Sequence, residues 1–125
     1  MSFHGQIPIL RIGSTLLVSI QVELRDAVAE AFQADILSAI EKRGTTGLVV
    51  DISGLDMVDT YVARILAETG RMAKLMGTTS VLVGMRPEVA STLVQMGYAM
   101  DGVLTALNLE SGLRLLGQQL VTVAK

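Results

Sequence analysis

Two short apolar runs open the chain, IPILRI at residues 7–12 and TLLVSI at residues 15–20, with Gly13 and Ser14 between them. Glycine supplies the positive φ that a two-residue hairpin turn needs, so the pattern predicts a β-hairpin. Pro8 has no N–H for a ladder, which places the first strand at a sheet edge. Over residues 25–43 the apolar period becomes helical. Val28, Phe32, Ile36 and Ile40 recur every four positions with Ala29 and Ala39 beside them, while Glu30, Ser38, Glu41 and Lys42 face the other way.

The run GLVVDI at residues 47–52 is almost wholly apolar and ends beside an acid, as a covered central strand does. Ser53 and Gly54 then turn the chain. A second amphipathic helix is expected over residues 60–76, with Val62, Ile65, Leu66, Thr69, Met72, Ala73 and Met76 on its buried side and Arg64, Glu68 and Arg71 on its wet side. Met72, Met76 and Met85 read as core filler. Residues 80–84 form the next strand, Pro87 opens a third helix to about residue 96, and residues 103–106 are a short apolar stretch that can add a further strand. A last helix is expected over residues 109–120, with Leu109, Leu113, Leu116 and Leu120 in register. The order ββαβαβα(β)α predicts an α/β fold: a mixed sheet of four to five strands, opened by the hairpin, with amphipathic helices packed against it.

Composition narrows the function. The 125 residues fit one domain, 1–125, and 50% apolar content is enough for a real core. Ten basic against twelve acidic residues leave no basic stripe for a phosphate backbone, so no nucleic acid is expected. There is no Cys, and the one His is His4, so thiolate or two-histidine metal sites and a His-based triad are not supplied. No catalytic residue, metal or cofactor is expected. Mean hydropathy is high at +0.53, yet runs such as Leu16-Leu17-Val18 fall far short of the roughly 18 residues a membrane span needs. The N-terminus carries no secretion pattern, and a cytoplasmic protein with no membrane partner is expected.

Ionisable and hydroxyl groups concentrate at Asp51, Ser53, Asp56, Asp59 and Thr60, at the carboxyl end of the expected central strand. Three readings are open there. Asp59 is an ordinary N-cap with Thr60 behind it. Asp51 and Asp56 are an acid–base pair, although no nucleophile or metal ligand accompanies them. Or Thr60 is a phosphorylation target, where a phosphate of about −1.5 to −2 charge beside Asp56 and Asp59 repels a protein partner and the helix N-terminus receives it. Ser91 and Thr92 read as helix-surface hydroxyls, and Arg86 as a solvated or anion-steering residue.

The element order, together with the D-x-S-x-L-x-x-x-D-T segment at residues 51–60, resembles the STAS domain of anti-sigma-factor antagonists. IPILRI, LLVSIQVEL, LVVDISGLDMVDTYVARIL, LVGMRPEVASTLVQMG and TALNLESGL are similar to the RsbS branch of that family, the small scaffolds of the stressosome, over about residues 6–120. RsbR relatives add an N-terminal sensory domain, for which 125 residues leave no room. The resemblance implies a non-enzymatic scaffold that sequesters an RsbT-like serine/threonine kinase and releases it when Thr60 is phosphorylated. RsbS proteins usually carry Ser at this position, and Thr is the RsbR habit. Thr92 is implied as a lesser second phosphosite. Asp56, Asp59, Thr60, Tyr61 and Arg64 are the implied partner-binding residues. The implied partners are RsbR-like co-antagonists, the kinase, an RsbX-like phosphatase, further copies of the chain (at least a dimer) and a large hetero-oligomeric particle. The alternatives are a simple antagonist that binds an anti-sigma kinase one-to-one, and a nucleotide or small-molecule sensor near Asp51 and Arg86. The Gly84-Met-Arg-Pro turn lacks the lysine and spacing of a phosphate-binding loop.

Overall fold

Apolar runs of period two alternate with runs of period 3.6, and the backbone follows them. The computed structural model describes residues 7–97, 100 and 102–117, with the Arg43 side chain left out, so His4 and Leu120 lie outside the described residues. Among them the order is β1 (Ile9–Ile12), β2 (Thr15–Ser19), α1 (Asp26–Arg43), β3 (Gly47–Asp51), α2 (Thr60–Leu75), β4 (Thr79–Val83), α3 (Pro87–Gln95), β5 (Val103–Ala106) and α4 (Leu109–Leu115). The five strands make one mixed sheet in the order β1-β2-β3-β4-β5. β1 is antiparallel to β2, in register Ile9 to Val18, and the other neighbours are parallel. Pro8 therefore precedes an edge strand, as expected.

Strand order that never reverses has a consequence for the helices. Parallel crossovers are right-handed, so successive crossovers stepping in one direction put their helices on the same face. α1, α2 and α3 share that face, where Phe32, Ile36, Val62, Leu66, Val89 and Leu93 bury against Leu16, Val18, Leu48, Val50 and Leu82. α4 follows the last strand and packs on the other face, with Leu113 against Val49, Val81 and Val83. Its closeness depends on Gly112, where an added Cβ would meet Val83 Cγ1 at 2.7 Å.

Two expectations are corrected. The last helix ends at Leu115 and not near residue 120: the Leu116 N–H turns back to the Gly112 and Leu113 carbonyls, and the Gly117 N–H to that of Arg114. Met72 and Met76 are 41% and 43% exposed and are not core filler. The buried side of α2 includes Ala63, Ala67 and Gly70, small residues that let the helix approach the sheet. Met72 falls at the edge of that buried arc, and Met76 lies past the last helical residue as the C-cap. Met85, by contrast, packs against the core.

At the amino end of the parallel strands, hydroxyls join neighbouring turns. Ser14 Oγ and Thr46 Oγ1 are 2.9 Å apart, and the Thr78 hydroxyl donates to the Thr45 carbonyl at 2.8 Å. The Thr46 N–H donates to the Ser14 carbonyl, and the Thr79 N–H to that of Thr46.

Two substitutions test the α2–sheet contact. A Cβ at Gly70 would run into the Val103 side chain, so Gly70→Ala should cost about 1–3 kcal/mol in urea unfolding. Ser80 is 3% exposed and its hydroxyl has no hydrogen-bond partner, so Ser80→Ala should leave stability unchanged or slightly raised.

Candidate functional site

Between β3 and α2 the chain alternates anchors and exposed groups. Ile52, Leu55 and Val58 are buried, whereas Ser53, Asp56, Met57, Asp59 and Thr60 are exposed. Burying each aliphatic side chain contributes about 1.5–3 kcal/mol, more together than the roughly 1 kcal/mol of a helix cap. Burial therefore sets the path of the loop, and the polar residues occupy what that path leaves outside. The Ile52 N–H donates to the Val83 carbonyl at 2.9 Å, and the Leu55 N–H to the Ile52 carbonyl at 3.0 Å.

Asp51 proves to be a turn residue. Its Oδ1 accepts the Ser53 N–H at 2.9 Å, an Asx turn that starts the loop. Gly84 lies against it with φ +75°, and an added Cβ there would meet Asp51 Oδ1 at 2.8 Å. Arg86 is exposed, yet its Nε donates to the Ser53 carbonyl at 3.0 Å, tying the β4–α3 turn to this loop. On the other side Gly54 crosses the end of β2 so closely that a Cβ would meet the Ile20 carbonyl oxygen at 2.5 Å.

α2 begins at Thr60, as the cap pattern predicts. The Asp59 carboxylate accepts the Val62 N–H at 2.8 Å, so one of the helix's free donors is already taken. Thr60 is exposed at the first helical position, and its hydroxyl faces Met96 Sδ at 3.9 Å. One residue on, the Tyr61 hydroxyl donates to Glu30 Oε2 on α1 at 2.6 Å, and the Arg64 guanidinium sits 5.2 Å from the Tyr61 ring centroid. Asp56, Asp59, Thr60, Tyr61 and Arg64 thus lie along one loop-and-helix segment. Thr92 lies apart from it on α3, half-buried, its hydroxyl bonded to the Glu88 carbonyl at 2.9 Å.

Three features of the site lie beyond sequence pattern. Glu30 falls on a wet helix face, and its bond to Tyr61 joins residues 31 apart, which helical period does not reveal. The tie from Arg86 to the Ser53 carbonyl spans 33 positions. A groove of about 450 Å³ also opens beside the loop, between Gln21–Leu24 of the β2–α1 connection and Gly54–Asp59. Among the described residues no group of three or more acidic, His or Cys side chains is placed to hold a metal, and no helix is long and apolar enough to cross a membrane.

Comparison with known proteins agrees with this geometry. The family model described as the STAS domain matches residues 6–111. The RsbT co-antagonist proteins RsbRA and RsbRB of Bacillus subtilis are 30% and 33% identical over 69% and 80% of the chain. The chain spans only about a third of those relatives, 31% and 36% of their lengths. A structure of Moorella thermoacetica RsbS carrying a serine-to-glutamate substitution is 40% identical, with TM-score 0.80, covering 90% of this chain and 95% of that one. A chain from a structure of the stressosome, described as a signal integration and transduction hub, is 42% identical with TM-score 0.77, covering 88% and 96%. The unphosphorylated anti-sigma factor antagonist SpoIIAA shares the fold at 18% identity and TM-score 0.71, covering 89% and 96%.

The Tyr61–Glu30 bond has a measurable signature. The bond to Glu30 chiefly, then burial and the charges of Glu30 and Asp26, push the Tyr61 phenol from 10.0 up to about 12, against a small lowering by Arg64. The raised value means the bond stabilises the fold fully below pH 10 and is lost as pH rises through about 12. In a Tyr98→Phe background, absorbance at 295 nm should titrate near pH 12, and Glu30→Gln should bring the midpoint back toward 10.

Proposed function

This chain belongs to the STAS domain family, and from that premise we propose that it is a phosphorylation-switched scaffold of the stressosome type. In this reading the unmodified surface formed by Asp56, Asp59, Thr60, Tyr61 and Arg64 holds an RsbT-like serine/threonine kinase. Phosphorylation of Thr60 releases the kinase, and an RsbX-like phosphatase resets the surface. The observation that carries the reading is the Thr60 hydroxyl: exposed, at the first position of a 16-residue helix, and held in place by a loop whose anchors are buried. Similarity to RsbS and to a stressosome chain over nearly all of the chain supports the scaffold role.

The modification needs no chemistry from this chain. Thr60 Oγ attacks the γ-phosphorus of kinase-bound ATP, the bond from that phosphorus to the β-phosphate oxygen breaks, ADP leaves, and the hydroxyl proton goes to a base of the kinase. The ester adds about −1.5 to −2 charge beside Asp56 and Asp59. Each new like-charge pair at contact costs about 1 kcal/mol in water and more once desolvated, so two or three dismiss a partner while the fold stays as it is. Thr92 is the poorer acceptor, because it is half-buried and its hydroxyl donates to the Glu88 carbonyl at 2.9 Å, whereas Thr60 is exposed and its hydroxyl meets the Met96 thioether at 3.9 Å.

Assembly with RsbR-like co-antagonists and further copies of the chain, in the cytoplasm, completes the proposal. Leu75, Val94 and Leu107, exposed by 89%, 76% and 81%, supply apolar surface for such contacts. The proposed role is non-enzymatic: in this reading the surface only docks partners and accepts a phosphate from the kinase.

Incubation with the cognate kinase and ATP should add one phosphate, located by mass spectrometry on the peptide containing Asp59–Tyr61. Thr60→Ala should retain the kinase in a pull-down after ATP is added. Thr60→Glu should release it only in part, since one charge replaces nearly two. Label on other peptides alone would overturn the reading.

A further inference from the structure

Arg64 is exposed, and its close contact is the face of Tyr61, 5.2 Å from the guanidinium carbon to the ring centroid. The ion pairs among the described residues, Arg25 with Glu23 and Arg114 with Glu110, do not include it. Its position on α2 gives it two neighbours. At 3.6 residues per turn, Arg64 projects roughly 40° from Thr60 and roughly 60° from Tyr61, between the two. Spacings of i,i+4 and i,i+3 both bring side chains together on a helix surface. The guanidinium leans on the ring, and the ring is itself fixed by the bond from Tyr61 to Glu30.

We propose that Arg64 is the intramolecular receiver of a phosphate on Thr60, swinging from the Tyr61 ring to the phosphate when it is added. The inference rests on Thr60 being the modified residue and adds what the modification does locally. Release would then have two parts: a dianion appears, and a cation is withdrawn from the docking surface. The attraction of an exposed cation for a ring is weaker than a charge-assisted, bidentate guanidinium–phosphate pair, so the exchange runs toward the phosphate.

The surroundings favour the same outcome. The Val62 N–H, which would otherwise greet an anion at the helix end, is engaged by Asp59. Met96, which faces the Thr60 hydroxyl from the end of α3, offers a phosphate only a thioether. Asp56 and Asp59 on the loop, with Asp26 and Glu30 on α1, make the neighbourhood acidic. That raises the cost of leaving the ester unpaired.

Phosphothreonine installed at position 60 during synthesis of the chain tests this without any kinase. The phosphate's second pKa, about 6 when unperturbed, is read by ³¹P NMR, and the Arg64 Nε–Hε resonance by ¹⁵N NMR. The receiver model expects a pKa lower by about half a unit in the parent than in Arg64→Gln, a threefold loss of proton affinity, with Arg64→Lys between them. It also expects the Arg64 resonance and the Tyr61 ring protons to move on phosphorylation. Equal pKa values in parent and Arg64→Gln, with an unmoved Arg64 resonance, would overturn it. Kinase labelling of the unmodified protein at residues other than Thr60 would remove the premise, whereas an unmoved arginine on the Thr60-phosphorylated chain removes only the receiver.

Discussion

Burial of Ile52, Leu55 and Val58 governs the shape of the loop between β3 and α2. With those three side chains committed to the core, the residues between them have nowhere to go but outward. Asp59 is thereby delivered to the mouth of α2, where it takes up the Val62 amide, and Thr60 follows as the first exposed helical residue. Local polar bonds refine this path: the Asx turn at Asp51, the Arg86 tie to the Ser53 carbonyl and the cap at Asp59. They hold the loop in one shape but do not decide which residues it presents.

The monotonic strand order has a second effect on what the site can be. Open α/β sheets bind small ligands in the crevice formed where strand order reverses and helices switch faces. Here the order β1-β2-β3-β4-β5 never reverses, so no such crevice forms at the carboxyl ends. What lies there is the β3–α2 loop with its exposed acids, and beside it the groove of about 450 Å³ lined in part by Glu23, Asp56 and Asp59.

Much of the architecture was legible in the chain. Gly, Pro and Asp residues punctuate it at Gly13, Asp59 and Pro87, and the turns and helix starts fall where those residues place them. The stretch at residues 103–106 was legible only as an optional fifth strand, because four residues are too few to show a period, and it forms β5. The width of the buried face of α2 was less legible: Val62, Ile65, Leu66, Thr69 and Ala73 bury as expected, but Ala63, Ala67 and Gly70 bury with little hydropathic signal while Met72 and Met76 are exposed. The candidate hydroxyl and its cap were legible from the D-T pair, since capping is local. The Tyr61–Glu30 bond and the Arg86 tie were not, since each joins residues more than 30 positions apart and depends on how elements pack.

The hydroxyl stitching of Ser14, Thr45, Thr46 and Thr78 lies at the opposite end of the strands from Thr60. The sheet therefore has a closed hem and an open fringe. Substitutions in the exposed fringe can change the surface beside Thr60 without loosening the hem, so the same framework tolerates different surfaces at that end.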